Sequence, residues 1–487
     1  MSGNLLLIVP IVLPILLGLS MVKLHDENQR NITVFIGLLA EMMIVYGLAF
    51  SSYTEVELWR LSERLVIAFA MDDLGAFFSC LIATVWFLAA VFSFEYMKHE
   101  DHVERFFVFY LTTLAALITV AYAKDFFTLY FGFEVMSLLS ALLVIHVQSK
   151  EALSATLKYL GYSVFGAGLG LFGFAFLDHY CVTTNFVAGG ALNMVNVAGN
   201  EQLLYFVYLL MMIGFATKAG MFPMHAWLPT AHPVAPSPAS AVLSSLITKV
   251  GVFAIIRITY YMIGVDFLSG SWVQLILLGL AIWTIFMGSM LAYKEKLLKR
   301  RLAYSSVSQV SYVLFGVFLM SPFGMLGALL QMVYHAFAKT ILFLVAGAII
   351  YKLGITRVDQ LKGVGKQMPI VMGCFTIASL SLIGIPPTGG FVSKWYLAQA
   401  GLSFGNFGLL GVAVLMISAL LTAGYLLPIV TDAFFVGKNY DYSRLKKCEP
   451  AWKMTFPLGV LAIGIVLLGI FPNPLMNTFI QIVTGIF

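Results

Sequence analysis

The chain has 487 residues, of which 61% are hydrophobic and only 10% charged, with a formal net charge of +5. A soluble globule carries about 25% charged residues, so this composition excludes one and leaves a polytopic, all-α membrane protein filling the chain as a single membrane domain. Its surroundings are the lipid bilayer, and nucleic acid is not indicated as a partner. The four cysteines, Cys80, Cys181, Cys374 and Cys448, lie far apart without CxxC or Cys/His ligand spacing, which supports no metal, iron–sulfur cluster or other cofactor.

Apolar runs of roughly 17 to 25 residues, the length that crosses hydrocarbon, recur about fourteen times. They lie near 4–24, 30–52, 72–97, 105–123, 125–147, 151–177, 202–222, 234–263, 271–293, 297–320, 323–351, 369–402, 405–436 and 454–472. The first run, from Asn4, lacks a basic flank and is too long for a signal segment, so it reads as a retained helix. Connections after odd-numbered runs hold 19 Lys and Arg, Lys438 and Arg444 among them, against 3 on the other side (Arg60, Arg64 and Lys124). The positive-inside rule then places both termini outside and the basic loops in the cytoplasm. Six of the 28 basic residues remain inside runs: Lys158, Lys218, Lys249, Arg257, Lys339 and Lys394.

In chain order, Asp72 and Asp73 stand at the outer start of the third run and read as interfacial. The fifth run carries Glu134 near mid-bilayer, where a carboxyl either serves an ion pathway or stays protonated or salt-bridged to hold two helices together. Lys158, in the sixth run, either snorkels to the cytoplasm or joins a pathway. The stretch from Gly214 to Gly251 is the least membrane-like: Lys218 and Lys249 bracket five prolines, with His225 and His232 between them. Non-helical backbone at membrane depth requires protein or a water-filled cavity around it. The residues Ser237, Ser240, Ser244 and Thr248 share one helical face beside Lys249; such hydroxyls either hold a file of water or fill tight helix contacts. Arg257, nearer the end of its run, reads as a residue that snorkels or anchors rather than conducts.

The tenth run opens with KEKLLKRRLAYSSVSQVSY, with Ser305, Ser308 and Ser311 on a wettable stripe. The eleventh holds His335 and Lys339 four apart on one face, and His is suited to relaying protons near neutral pH. In the twelfth, GIPPTGGFVSKWYLAQAG breaks the helix, and Lys394 follows within the first turn of the restart. Lys218 precedes its own break near a helix C-terminus, whereas Lys394 follows a break near an N-terminus. Helix dipoles then predict a proton-affinity gradient between them. Two broken, lysine-bearing helices five runs apart suggest a duplication, 105–263 and 271–436, flanked by N-terminal helices in 1–104 and a C-terminal helix and tail in 454–487. An odd repeat length inserts the second copy upside down, as in inverted-repeat transporters.

The motifs KAGMFPMHAWLPTAHPVAPSPASAVLSSLITKVG, GFEVMSLLSALLV, KRRLAYSSVSQ, YHAFAKTILFLVAGA and GIPPTGGFVSKWYL resemble those of the antiporter-like proton-pumping subunits of respiratory complex I, membrane-bound hydrogenases and multisubunit cation/proton antiporters. The resemblance implies fourteen helices with two inverted five-helix repeats and discontinuous helices 7 and 12. It assigns proton translocation to Glu134, Lys218, Lys249, His335, Lys339 and Lys394, with Glu134 paired to Lys218 as a gate. Lys158, His225, His232, Ser244, Thr248, Ser305 and Ser308 become candidate lining. The partners it implies are sister antiporter-like subunits, small membrane subunits and a peripheral redox module on the cytoplasmic side. Some relatives carry Glu where this chain has Lys394, and the chain ends at Phe487 without the long lateral helix of the distal complex I subunit. Sodium/proton exchange and a stand-alone solute carrier are the rival readings.

Overall fold

The computed structural model describes residues 5–51, 54–62, 64–437 and 446–487. Asn4, Lys438 and Arg444 therefore lie outside the described residues. Among the described residues, twelve helices are long and apolar enough to cross a bilayer, so the chain is a multi-pass membrane protein. They are α1 (Leu5–Lys23), α2 (Glu27–Ala49), α3 (Asp73–His99), α4 (Val103–Ala121), α5 (Phe126–Val144), α6 (Lys150–Tyr180), α7 (Glu201–Ala219), α9 (Ser237–Ile263), α10 (Trp272–Lys294), α12 (Pro322–Leu353), α15 (Asn406–Phe434) and α16 (Trp452–Ile470). Three further helices fall short for physical reasons. The helix α11 (Leu298–Phe318) opens on Lys299, Arg300 and Arg301 and carries four serines, so it is too polar. The pair α13 (Pro369–Ile383) and α14 (Gly389–Ser403) is split into 15-residue halves. A short helix, α8 (Leu228–Val234), fills the turn between α7 and α9, and an amphipathic α17 (Asn473–Ile486) closes the chain.

Short polar side chains start many of these helices. Asp26, Asp72, Asp125, Ser149, Ser271 and Ser321 each accept a backbone N–H three residues on, the usual way a helix start satisfies its free donors. The two breaks are built alike. α7 and α13 end on Gly220 and Gly384, whose φ of +80° and +94° only glycine adopts readily. A cis peptide precedes Pro223 in one break and Pro387 in the other.

The all-helical expectation fails at one place. Residues Thr54–Arg60 (β1) and Val66–Met71 (β2) form an antiparallel hairpin between α2 and α3. It is tied to the α4–α5 connection where Ala70 N–H reaches Tyr122 O at 2.8 Å and Lys124 N–H reaches Ala68 O at 3.0 Å. The run EVELWR carries too much charge to register as membrane and alternates too weakly to mark a strand.

The 32-residue α12 is the axis of the molecule. It packs against α3, α9, α11, α13, α14, α16 and α17, and its middle is surrounded by protein. α9 is also buried throughout and departs from α-helical geometry twice, with π-helical turns at Leu243–Ile247 and Arg257–Ile263.

Candidate functional site

Lys218 sits in the last turn of α7. Its Nζ donates to Tyr159 Oη at 2.7 Å and Ser163 Oγ at 3.0 Å on α6, and lies 4.4 Å from the Tyr159 ring centroid. Tyr159 Oη in turn meets Ser140 Oγ of α5 at 2.6 Å. The expected direct pair with Glu134 is not formed: no ion pair joins them within 4.0 Å, although Glu134 is the carboxylate in electrostatic reach of Lys218. Glu134 is half-buried, accepts from Tyr130 Oη at 3.1 Å, and shares an outward stripe with exposed Phe131 and Leu138. The two helices meet through aromatic side chains, Phe133 of α5 against Phe215 of α7 at 5.3 Å, while the hydroxyls of α6 take the ammonium.

Close approach of α9 to α7 depends on Gly251, where a Cβ would lie 2.6 Å from Phe215 O and 3.0 Å from Lys218 Cβ. Lys249 follows the first π turn of α9. Its Nζ is 2.6 Å from Ser244 O, 3.5 Å from Thr248 Oγ1 and 2.5 Å from His335 Nδ1 on α12. Ser244 Oγ meets Ser306 Oγ of α11 at 2.6 Å. π turns recur at functional sites, and this one has Ser244 O accepting from both Lys249 Nζ and Thr248 Oγ1.

One turn along α12, Lys339 Nζ donates to Leu302 O at 2.9 Å. One turn the other way, Gln331 donates to Gln309 Oε1 at 3.0 Å and accepts from Ser393 Oγ at 2.6 Å. Lys394 adjoins Ser393. Its ammonium folds back across the break onto the free carbonyls of α13, bonding Leu382 O and, at 2.9 Å, Ile383 O, with the Tyr312 ring 5.1 Å away. This removes the expected dipole contrast. Lys394 is rooted in the N-terminal turn of α14 but solvates the C-terminal end of α13, so helix ends favour the cationic form at both breaks.

The lining candidates divide. Ser244 and Thr248 stand at Lys249. Ser305 bonds Tyr425, and Ser308 bonds Ser289, Ser418 and Ile285 O, so both fill contacts with α10 and α15; their neighbour Ser306 is the one facing Lys249. Lys158 is half-buried on the rim of a surface groove of about 380 Å³ with Tyr162, Phe165 and Met224. His225 is half-buried near it. His232 is fully buried, stacked 4.6 Å from Phe343, with neither ring nitrogen hydrogen-bonded, and has Lys249, Lys299 and Lys339 in electrostatic reach. Arg257 does not snorkel: Nη1 and Nη2 grip both oxygens of Asp72 at 2.5 and 2.6 Å, and Phe186, Phe253 and Tyr261 surround the guanidinium. Asp72 is thus a cap and a clamp as well as an interfacial residue.

Sequence reading missed Gln331 and Ser306. Gln331 was within reach, four residues before His335 on the same helical face. Ser306 was not, because its partner is 62 residues away.

The family described as "NADH:quinone oxidoreductase/Mrp antiporter, TM" matches residues 123–422, and that described as "NADH-Ubiquinone oxidoreductase (complex I), chain 5 N-terminus" matches 62–107. An NADH-quinone oxidoreductase subunit of Desulforudis audaxviator is 32% identical over 433 residues, covering 85% of this chain and 84% of the relative. A Na(+)/H(+) antiporter subunit of Alkalihalophilus pseudofirmus is 29% identical, covering 98% of this chain and 96% of the relative. The fold is shared with a chain of the membrane-bound sulfane sulfur reductase, an archaeal respiratory membrane complex, at a TM-score of 0.87 and 24% identity over 99% of this chain and 98% of that one. The chain belongs to the NADH:quinone oxidoreductase/Mrp antiporter transmembrane family.

Proposed function

We propose that this chain is a proton-translocating, antiporter-like subunit of a complex I-related, redox-driven ion pump, without redox chemistry of its own. The observation that carries the reading is the 2.5 Å contact of Lys249 with His335 in a fully buried setting. Around it the basic groups of Lys249, His335 and Lys339 lie in one protein-enclosed region without a carboxylate within ion-pair distance among the described residues. Like charges so placed repel, so adding a proton to one group discourages it on the next, which is the property a relay needs.

In this scheme a proton enters from the cytoplasmic side past His232, loads Lys249, passes to His335 with Lys339 as its neighbour, and continues through Gln331 and Ser393 to Lys394. Lys394 discharges to the outside. Lys218 sets the occupancy of Lys249 through space, and Glu134 sets that of Lys218. The outward stripe of Phe131, Glu134 and Leu138 suits a sister subunit, because a mid-membrane carboxyl facing lipid is costly. Glu134 thereby senses its neighbour's charge. In this reading small membrane subunits and a peripheral redox module on the cytoplasmic side complete the assembly; relatives named as a subunit of an NADH-quinone oxidoreductase and as a component of hydrogenase-4 support a redox partner.

The same reading takes α11 and the α13/α14 pair as the tenth and twelfth of fourteen spans, in two inverted repeats at 105–263 and 271–436, with both termini outside. The matched glycine-ended breaks support it. The antiporter relative, similar over 98% of this chain, favours sodium/proton exchange as a second reading. Reconstitution of the whole complex into liposomes tests both. Proton uptake driven by the redox reaction without sodium supports the first; a strict sodium requirement overturns it.

A further inference from the structure

We infer that Glu41 is a second proton-binding carboxyl, outside the lysine–histidine file, reached from a groove under the C-terminal helix. Glu41 lies on the inward face of α2 with Val34, Leu38, Val45 and Leu48, about two turns from the helix end. It is 1% exposed, and neither carboxyl oxygen has a hydrogen-bond partner among the described residues. No cation pairs with it there either. The titratable group in electrostatic reach of Glu41 is Tyr122, after α4, whose hydroxyl lies against Ser79 and is also in reach of Cys80 of α3. α1 brings none.

An ionised carboxylate without donor or counter-ion is too costly in such a setting, so the site holds a proton. The route inferred for that proton runs by Cys80. Cys80 also lines an open groove of about 460 Å³ bounded by Tyr46, Thr84, Phe337, Phe479 and Gln481. Tyr46 Oη and Thr84 Oγ1 meet there at 2.8 Å. Cys80 thus stands on the wall of the groove and in electrostatic reach of the Tyr122 hydroxyl, on which Glu41 also acts. Neither Glu41 nor the groove belongs to the path from Lys249 to Lys394.

The test uses native membranes containing the assembled protein at neutral pH. A carbodiimide adds a carboxylic acid O–H across its C=N bond with no leaving group, so it reports carboxyls that hold a proton. The expected result is modification of Glu41 by the hydrophobic dicyclohexylcarbodiimide, read by peptide mass spectrometry and absent in Glu41→Gln. It should exceed modification by a water-soluble charged carbodiimide at least several-fold, and prior alkylation of Cys80 with N-ethylmaleimide should slow it, an effect lost in Cys80→Ala. An unmodified Glu41, equal reaction with both reagents, or a Cys80 that resists alkylation overturns the inference. None of these readings depends on pumping, so they stand apart from the fate of the proposed function.

Discussion

The Nζ of Lys249 lies 2.5 Å from Nδ1 of His335, across two helices and 86 positions of sequence. This contact makes the two side chains one unit. Replacing either should therefore cost nearly as much as replacing both. Lys249→Met and His335→Leu are each expected to lower redox-driven proton uptake by about 10²-fold, the low end for a positioned proton-transfer group, with the double variant little worse than either single one. Proteoliposome acidification at matched complex content measures this, and two independent, fully additive losses would contradict it.

In the proposed path Ser393 and Gln331, hydrogen-bonded to each other, are the neutral groups placed between this unit and Lys394. Ser393→Ala should remove one hydrogen bond, about 1 kcal/mol of stability, while slowing uptake several-fold. Ser308→Ala, whose hydroxyl serves only helix contacts, should cost similar stability and leave uptake alone. Thermal unfolding in detergent alongside the uptake assay separates the two.

The Asp72–Arg257 clamp joins the start of α3 to the second π turn of α9. Asp72→Ala leaves a guanidinium buried under three aromatic rings and should destabilise by about 3 kcal/mol. The compensating Asp72→Ala/Arg257→Met pair should recover much of it. A double variant less stable than Asp72→Ala would show that the charge pair is not the cause.

Gly251→Ala places a methyl 2.6 Å from Phe215 O and should cost about 1–3 kcal/mol as α7 and α9 separate. Because Lys218 borders the same contact, uptake should fall as well. Gly161→Ala, in the interior of α6 where open space surrounds the position, is the control and should leave uptake unchanged while holding or slightly raising stability, by up to about 1 kcal/mol.

How much of this was visible in the sequence depends on what each feature rests on. The lysines inside apolar runs, the paired breaks and the His335–Lys339 spacing follow from composition and helical periodicity, which are local. The partner of a side chain is not local. Lys218 and Glu134 occupy neighbouring helices as the motifs imply, yet Tyr159 and Ser163 of α6 take the ammonium. Lys394 sits near a helix start in the sequence, but its flexible stem carries the charge to another helix's end. The π turns of α9 have no sequence signal, since they rearrange hydrogen bonds along an unbroken apolar helix. Counting only basic residues also left Glu41 unnoticed in α2, where it reads as one polar residue in a long apolar run.

The helix α11 is both the most polar of the long helices in the bundle's interior and one of the most enclosed. A first turn of three cationic residues and a row of serines and Gln309 further in make such a segment a poor candidate to partition into lipid alone. Its polar face is covered by α10 and α12, the helices it packs on, so it is expected to enter the bilayer together with them. Substitutions that weaken α10 or α12 are therefore expected to show first as defects of insertion, visible as lost chain, before any loss of turnover.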